Sequence, residues 1–453
     1  MGARQSASSP LQSFTGENQA SSQPLGAHVA VIGAGGAGLA AGRFLREAGL
    51  QVKILEKSND IGGLWKYQDG GAVYNSLVTN LPKEIMQFID FPYKSSLPSF
   101  VTHGDMYTYL QEYAKAFDLY SLVETNAPVH SVRQSHQKSS NIFDKLPAWE
   151  VEWERNGKSC VETFDAVVIC NGHYEKASSP QIPNLQAFKG RVMHSIEYDD
   201  PEEFEGLKVL CIGARASGTD IAREVSMVAS EVHVCDKDCN QMETGGALKN
   251  IFRQPELLSF TQDGKAQFSN GQAAEVDVVV FCTGYDYHFP FLSDGLVDST
   301  NRRVHPLYEH LFHCELPNLS FVGIPHSVVP FPLFDLQSRW VASVYSKKVQ
   351  LPDSQGMFAW LENHYQSLDE SGKRMRDAHH MSSKQWAYCR NVALLSQSID
   401  MKNLGDILAV NEQIYNDVAN HRPKFPGDSD TYRKMNYHVN RDTCSWIVSH
   451  DSN

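Results

Sequence analysis

Two glycine-rich loops contain the residues whose types and spacing most clearly predict chemistry. The first loop, Gly33-Ala34-Gly35-Gly36-Ala37-Gly38, fits the pattern G-x-G-x-x-G and lies between an apolar strand, Val29 to Ile32, and a helix through Ala40 to Leu45. In this pattern the first glycine permits a tight turn, the second lets the backbone approach a pyrophosphate, and the third lets helix and strand pack closely. Because the N-terminus of the helix also attracts negative charge, the loop predicts a dinucleotide site.

Glu56 narrows the choice of dinucleotide. It ends the next predicted strand, Gln51 to Glu56, where a carboxylate accepts hydrogen bonds from ribose hydroxyls and would repel a 2′-phosphate. FAD or NAD therefore fits this site better than NADP. The loop Ile61-Gly62-Gly63-Leu64-Trp65 then places paired glycines beside an aromatic residue, which suits packing against a ring system and favours FAD. The predicted FAD contacts from these two loops are Gly33, Gly35, Gly36, Gly38, Glu56, Gly63, Leu64 and Trp65.

The second loop, Gly213-Ala214-Arg215-Ala216-Ser217-Gly218, has Arg215 where the pattern requires its second glycine. An arginine cannot approach a pyrophosphate as glycine does, but its guanidinium can pair with a phosphate. Lys237 follows the next predicted strand and could hold a 2′-phosphate, so the site favours NADPH over NADH; the alternative is a solvated lysine. The predicted NADPH contacts are Gly213, Arg215, Ser217, Gly218, Thr219, Asp220 and Lys237.

These loops belong to two β-α-β units, which imply parallel strands. Two further apolar strands, 165–172 and 277–284, each end in a turn and would close one nucleotide-binding region. We therefore predict the α/β class, with two interleaved Rossmann-like dinucleotide-binding domains that contain parallel sheets. The predicted order is a disordered tail (1–27), a first FAD-binding part (28–176), an inserted NADPH-binding domain (177–290), and a second FAD-binding part with a C-terminal tail (291–453).

The C-terminal part has a weaker pattern. Met357 to Tyr365 and Lys373 to Tyr388 look helical, and the Pro-, Asp- and Tyr-rich tail from His421 onward is expected to wrap the surface.

Composition excludes several classes of function. A formal net charge of -13 argues against nucleic acid as a general partner, since phosphate binding is largely electrostatic. No apolar stretch approaches the roughly 18 residues of a membrane span. The nine scattered cysteines contain no C-x-x-C pair, so we expect reduced core thiols in a cytoplasmic protein and no metal site. Residues 1–6 match the myristoylation pattern at Gly2, which would give a weak membrane tether; we favour a chance match.

A longer motif identifies a family resemblance. The segment Phe188 to Tyr198 fits F-x-G-x-x-x-H-x-x-x-[YF] at Phe188, Gly190, His194 and Tyr198. The segments at Thr79-Asn80-Leu81-Pro82-Lys83-Glu84, at Phe281-Cys282-Thr283-Gly284-Tyr285 and at Gln337-Ser338-Arg339-Trp340 also look family-like. From His28 to about Tyr437 the chain resembles the flavin-containing monooxygenases and is similar to their shorter members without a hydrophobic C-terminal anchor. The related Baeyer–Villiger enzymes typically have Trp at the position of Tyr198, which favours oxygenation of a heteroatom.

The resemblance implies a mechanism and further site residues. NADPH would reduce FAD, O2 would form a C4a-hydroperoxyflavin, and bound NADP+ would shield this intermediate from water. Its terminal oxygen would pass to a soft nitrogen or sulfur of a small amine, alkaloid, thiol or thioether. By family analogy Asn80 is the catalytic amide, which hydrogen-bonds the peroxide or the nicotinamide side. The other implied cofactor contacts are Thr79, Leu81, Thr283, Gly284 and Gln337.

Other functions remain open at this point. A Baeyer–Villiger oxygenase and an uncoupled NADPH oxidase would use the same two cofactors. A flavin disulfide reductase would need a cysteine pair after the first loop, and residues 39–159 contain no cysteine. Because Arg215 departs from the glycine pattern, a catalytically silent interaction protein that is stabilised by flavin is a further alternative. The sequence names no substrate and leaves a homodimer open.

Overall fold

The computed structural model describes residues 26–139, 145–397 and 401–450. The predicted N-terminal tail lies outside this part except for its last two residues, and so does Gly2. Within the described ranges, no helix combines the length and the apolar composition needed to cross a bilayer. The α-helices are α1 (Gly36–Glu47), α2 (His103–Ala116), α3 (Ala216–Val225), α4 (Pro330–Tyr345), α5 (Ser354–Glu370), α6 (Gln385–Ser396) and α7 (Met401–His421).

Most strands are short, and they fall into six sheets. In chain order they are β1 (His28–Ile32), β2 (Gln51–Leu55), β3 (Val123–Glu124), β4 (Val129–Lys138), β5 (Pro147–Arg155), β6 (Lys158–Phe164), β7 (Ala166–Ile169), β8 (Lys176–Ala177), β9 (Arg191–His194), β10 (Lys208–Ile212), β11 (Glu231–Cys235), β12 (Glu243–Thr244), β13 (Ile251–Gln254), β14 (Leu257–Phe260), β15 (Ala266–Phe268), β16 (Ala273–Ala274), β17 (Val278–Phe281), β18 (Tyr285–Asp286), β19 (Leu307–Tyr308), β20 (Phe312–His313), β21 (Leu319–Phe321), β22 (Met435–Asn440) and β23 (Ser445–His450).

The two largest sheets contain the two predicted β-α-β units. In the first sheet, ordered β19-β20-β21-β7-β1-β2-β3, strand β1 pairs in parallel with β2 and with β7. In the second sheet, ordered β12-β13-β11-β10-β17-β9, strand β10 pairs in parallel with β11 and with β17. All strands of the second sheet lie, in sequence, between β7 and β19 of the first. The predicted α/β class with two interleaved Rossmann-like domains is therefore confirmed.

The two connections between these sheets run side by side. Strands β8 and β18 pair antiparallel, with Tyr285 opposite Ala177. Next to them the backbone N–H of Ser178 donates to the carbonyl of Gly284 at 2.9 Å. The Thr283 hydroxyl donates back to the carbonyl of Ser178. The chain thus leaves and re-enters the first sheet through one hydrogen-bonded ribbon.

An ionic network joins helices α1 and α4 through the carboxylate of Asp90, to which Arg43 on α1 and Arg339 on α4 both donate; Asp90 is exposed and the two arginines are buried or partly buried. Arg43 donates to both carboxylate oxygens of Asp90 at 2.8 and 2.7 Å, and Arg339 donates to Asp335 at 2.5 Å. Burial raises the pKa of Asp335 to about 6, although the neighbouring Arg339 opposes this shift. Because removing one member of such a network leaves an uncompensated buried charge, we infer that it fixes the angle between the two helices.

Two predictions for the C-terminal part are wrong. Residues 373–384 do not form an α-helix, because the backbone here bonds across to another segment: His380 pairs with His326, and the N–H of Met381 donates to the carbonyl of His326. The tail beyond His421 does not simply wrap the surface, since its aromatic residues Tyr432 and Tyr437 are buried. The backbone from 435 to 450 forms the hairpin β22–β23, which the sequence did not indicate.

Candidate cofactor and active site

The first glycine loop has the geometry that its pattern predicts. Gly33 adopts a φ of 103°, and a methyl group there would lie 2.6 Å from the carbonyl oxygen of Cys170, at the end of β7. A methyl group on Gly38 would lie only 1.8 Å from the carbonyl oxygen of Gly33. Gly36 faces the ring of Phe331, which a methyl group would approach to 2.9 Å. Glycine is therefore required for both the turn and the packing of α1.

The paired glycines after β2 pack directly on this loop. A methyl group on Gly63 would lie 2.8 Å from the Cα of Gly35, so two backbones meet without side chains between them. Leu64 is exposed and Trp65 is partly buried. The carboxylate of Glu56 accepts the N–H of Ala34 at 2.7 Å. Its other oxygen accepts the N–H and the hydroxyl of Ser58, both at 2.8 Å. This buried acid therefore holds the loop in place.

The second glycine loop repeats the same backbone closure. A methyl group on Gly213 would lie 2.6 Å from the carbonyl oxygen of Cys282, and one on Gly218 would lie 1.8 Å from the carbonyl oxygen of Gly213. Arg215 precedes α3 with φ −89° and ψ −168°, close to the −75° and −173° of Gly35 before α1. Because this is ordinary extended backbone, the arginine is accommodated without strain. Arg215 in place of glycine therefore adds an exposed side chain to the loop without changing the path of its backbone.

The two sites differ in whether the acid that follows the second strand has an ion-pair partner. Glu56 makes no ion pair with any residue in the described ranges, whereas Asp236, at the equivalent point after β11, pairs with Arg253 at 2.7 Å. Arg253 lies on β13, which pairs in parallel with β11. Arg215, Ser217 and Lys237 are exposed. The second site thus presents cationic side chains and a neutralised acid, which suits a 2′-phosphate better than the first site does.

The signature residues hold the second domain together. His194 accepts the N–H of Ile196 through Nδ1, and its Nε2 donates to the carbonyl of Gly284 at 3.1 Å. The hydroxyl of Tyr198 donates to Glu224 on α3 at 2.7 Å. Burial lowers the pKa of His194, so this ring is neutral in its structural role. The other two signature residues, Phe188 and Gly190, directly precede β9, the edge strand of the second sheet. A methyl group on Gly190 would lie 2.1 Å from the carbonyl oxygen of Asp277.

The segment with Asn80 lies where the two domains meet. Thr79 is anchored to Val101 by a backbone bond of 2.9 Å, and the neighbouring Leu81 is buried. Arg433 donates to the carbonyl of Thr79 at 3.1 Å and to Asp220 on α3 at 2.8 Å. A second arginine, Arg422, donates to the carbonyl of Asn80. Arg433 thus links the predicted catalytic segment to α3, the helix after the second glycine loop, and Arg422 holds the same segment at Asn80.

Four further predicted contact residues, Thr283, Gly284, Gln337 and Thr219, have structural roles within the protein. The carbonyl of Thr283 accepts from Arg302 at 2.7 Å, and Gly284 adopts a φ of 77° beside it. Gln337 is fully buried in α4, where its oxygen accepts the N–H of Gly323 and its nitrogen donates to Tyr388. The Gln337 amide therefore orders a loop at the end of the first sheet. Thr219 donates to the carbonyl of Ala214 and so closes the second loop.

A family model described as "Flavin-binding monooxygenase-like" matches residues 26–243 and 247–413. The chain belongs to the flavin-containing monooxygenase family. Among its curated relatives, the Arabidopsis thaliana protein named flavin-containing monooxygenase FMO GS-OX-like 4 is 38% identical over 392 residues, which cover 80% of this chain and 85% of that protein.

Solved structures agree with this assignment. The structure of S-allyl-L-cysteine S-oxygenase from Allium sativum has a TM-score of 0.83 at 33% identity and covers 93% of this chain and 97% of that one. Cyclohexanone monooxygenase is 14% identical with a TM-score of 0.59, over 82% of this chain and 98% of that one, and shares the fold alone.

The chain is thus a flavin-containing monooxygenase, an oxidoreductase that uses FAD and NADPH to oxygenate a small molecule. The two glycine loops fit these cofactors by their chemistry. Each offers the N-terminus of a helix to a pyrophosphate. The first has an acid without an ion-pair partner, which would accept from ribose hydroxyls, and the second has cations that would pair with phosphates. Sequence reasoning missed Arg253, Arg302 and Arg433. Arg433 reaches the site from more than 200 residues away, and the other two lie outside the motifs, 17 residues from Asp236 and 19 from Thr283.

Proposed function

We propose that this flavin-containing monooxygenase catalyses NADPH- and O2-dependent oxygenation of a soft sulfur centre, with a soft nitrogen as the second choice. The observation that carries the proposal is that Arg433 bonds both the carbonyl of Thr79, next to Asn80, and Asp220 on α3, the helix that follows the second glycine loop. Bound FAD, once reduced by NADPH, supplies the activated oxygen. The side chain of Asn80 is partly buried and has no hydrogen-bond partner among the described residues, so its amide is available to a ligand.

Sulfur is favoured over a carbonyl substrate for two reasons. The solved structure at 33% identity is described as an S-oxygenase, whereas cyclohexanone monooxygenase resembles this chain in fold alone. Tyr198 also occupies the position at which Baeyer–Villiger enzymes typically have Trp. A thioether needs no acid–base pair on the protein, since its lone pair attacks the oxygen directly. We therefore propose a small thioether as the substrate class, converted to a sulfoxide.

We also propose how the residues divide between the cofactors. Residues 28–176 and 291–453 would bind FAD through the first loop, Glu56 and the 62–65 loop. Residues 177–290 would form an inserted NADPH-binding domain. This division is supported by the sheet order and by the β8–β18 ribbon, which carries both connections between the sheets.

The role of Asn80 is tested with Asn80→Ala and with a control, Asn75→Ala, at an exposed position five residues upstream. The assay measures sulfoxide, hydrogen peroxide and NADPH consumed in one reaction with a thioether series, and repeats it with tertiary amines and a cyclic ketone. We expect Asn80→Ala to retain FAD and to consume NADPH, while sulfoxide per NADPH falls at least about tenfold and peroxide rises. Full sulfoxide yield from Asn80→Ala would refute the assigned role. A lactone product without sulfoxide would refute the substrate class.

A further inference from the structure

A second cavity lies outside every residue assigned to the cofactors. It has a volume of about 290 Å³, is partly open to solvent, and is lined by α5, α6 and the turn between β19 and β20. That volume is at the lower end for small-molecule sites. The polar and aromatic side chains on its wall include Glu309, His310, Trp360, Asp377, Lys384 and Tyr388.

The turn that supplies two of these residues is strained. Glu309 and His310 both adopt left-handed backbone conformations, with φ values of 47° and 57°. Each such conformation is unfavourable for a residue with a side chain. Tyr388 stabilises the turn by donating its hydroxyl to the carbonyl of Glu309 at 2.7 Å. Strain at two adjacent non-glycine residues, both facing one cavity, is a feature of ligand sites.

The carboxyl group of Glu309 is buried without a cation. Its side chain accepts from the amide of Asn391 at 3.0 Å and from the indole of Trp360. No residue in the described ranges forms an ion pair with it, and only 7% of the residue is exposed. Burial raises the pKa of Glu309 to about 7. A buried carboxyl of this kind is stabilised in its charged form by a cation brought by a ligand.

The other groups around the cavity fit such a cation. The Nε2 of His379 accepts the N–H of Val304, which leaves the proton on Nδ1 to be donated to His310 at 3.0 Å. Burial lowers the pKa of both histidines, so His310 is neutral. His364 also lines the cavity and stacks on Trp360, with the two ring centroids 5.3 Å apart, and burial lowers its pKa too. The rings of Trp360, His310, His364 and Tyr388 then form uncharged walls with negative faces. Lys384 is exposed and Asp377 half-exposed at the wall, so charges of both signs lie near the opening.

We propose that this cavity binds the ammonium group of a small organic molecule, with Glu309 as its counterion and Trp360 as its aromatic face. The ammonium group belongs either to a simple alkylamine or to an α-amino acid. In the second case Lys384 pairs with the carboxylate of the ligand. The cavity shares no residue with the predicted cofactor set, and it adjoins that set where the Gln337 amide donates to the hydroxyl of Tyr388 at 2.8 Å.

Isothermal titration calorimetry on FAD-loaded protein without NADPH tests the proposal, because no turnover then occurs. The probes are n-butylamine, L-norleucine and, as an uncharged control, 1-butanol. Both charged probes lack an oxidisable sulfur. The variants are Glu309→Gln, which keeps the shape and removes the charge, and Lys384→Met. The matched control is Glu362→Gln, an exposed position on the same helix as Trp360.

We expect wild-type protein and Glu362→Gln to bind n-butylamine and not 1-butanol. Glu309→Gln should weaken amine binding roughly ten- to hundredfold, the range for a hydrogen bond to a charged group. FAD content and NADPH consumption should not change. Amine binding to wild type should also strengthen between pH 6 and pH 8, as Glu309 loses its proton. Tighter binding of norleucine that Lys384→Met removes would assign the amino acid; equal binding of both would assign the amine.

Two results would overturn the proposal: no heat with either charged probe at millimolar concentration, or binding that Glu309→Gln leaves unchanged. If Glu309→Gln fails to fold, Trp360→Leu serves in its place. It removes the aromatic face and should weaken n-butylamine binding several-fold while leaving FAD bound. Unchanged amine affinity in that variant would also count against the site.

Discussion

Arg433 joins three segments that are far apart in the chain, and its replacement by Gln is the sharpest test of how the two domains are held together. Its guanidinium donates to the carbonyl of Thr79 at 3.1 Å and to the carboxylate of Asp220 at 2.8 Å. A third bond reaches Asp430 on its own segment. Thr79 precedes the proposed catalytic amide of Asn80, and Asp220 lies on the helix that follows the second glycine loop. Arg433 therefore acts as a positioning residue between them.

The size of the effect follows from burial. The side chains of Arg433 and Asp220 are 16% and 17% exposed. Truncating one partner of a buried, hydrogen-bonded charge pair costs about 2–5 kcal/mol, and partial exposure places this pair near the lower value. About 2 kcal/mol corresponds to roughly 30-fold in the equilibrium between the joined and the separated arrangement of the domains. When the domains separate, water can enter the space between the two cofactor sites. The fraction of NADPH oxidation that yields oxygenated product should therefore fall.

The assay compares product and peroxide formed per NADPH, together with the rate of flavin reduction, for Arg433→Gln and for Arg155→Gln. Arg155 pairs with Glu124 at 2.7 Å on the surface and is the matched control. We expect slower flavin reduction and more peroxide in Arg433→Gln and wild-type values in Arg155→Gln. If Asp220 acts through Arg433, Asp220→Asn should add little in the double variant. Wild-type coupling in Arg433→Gln, or fully additive effects, would refute the reasoning.

Three further predictions follow from the loops and the cavity. Gly38→Ala should yield colourless protein, because its methyl group would lie 1.8 Å from the carbonyl of Gly33; absorbance near the flavin band checks this. Gly218→Ala should remain yellow but show a KM for NADPH raised at least about tenfold, because the same collision occurs in the second loop. The pKa of Glu309, about 7 against a usual 4.5, predicts that wild type loses up to roughly 3 kcal/mol of unfolding free energy relative to Glu309→Gln as pH rises from about 4.5 to 7. Denaturant melts at several pH values check this; a constant difference between the two proteins would contradict it.

The sequence predicted the two β-α-β units well, because their signals are local. The glycines of each loop lie within six residues of one another, and each apolar strand directly precedes its loop. The collisions that require Gly33 and Gly38 involve only the loop itself and the end of the neighbouring β7. A pattern that short, with a fixed geometric reason, can be interpreted without knowing the rest of the fold.

The contacts between the domains could not be predicted in this way. Arg433 is 354 residues from Thr79 and 213 from Asp220, and nothing in its local sequence marks it as an interdomain residue. The wrong helix at 373–384 has the same origin. Its composition suits a helix, but its backbone at His379 to Met381 hydrogen-bonds to the backbone of His326, which lies in a different part of the chain. Long-range hydrogen bonds overrode the local preference in both places.

Arg215 shows how one backbone serves two cofactors. The loops around Gly33 and Gly213 make the same two close approaches, at 2.6 and 1.8 Å, and Arg215 has nearly the same backbone angles as Gly35. The departure from the glycine pattern therefore leaves the backbone of the loop unchanged, and we expect its effect to fall on ligand binding. Where Gly35 faces the bare backbone of Gly63, Arg215 offers a cation, and the acid that would repel a 2′-phosphate is held by Arg253. An acid without an ion-pair partner and a missing side chain would favour FAD, while a paired acid and an added cation would favour NADPH. We therefore expect selectivity to rest on these few side chains and not on the shape of the loop.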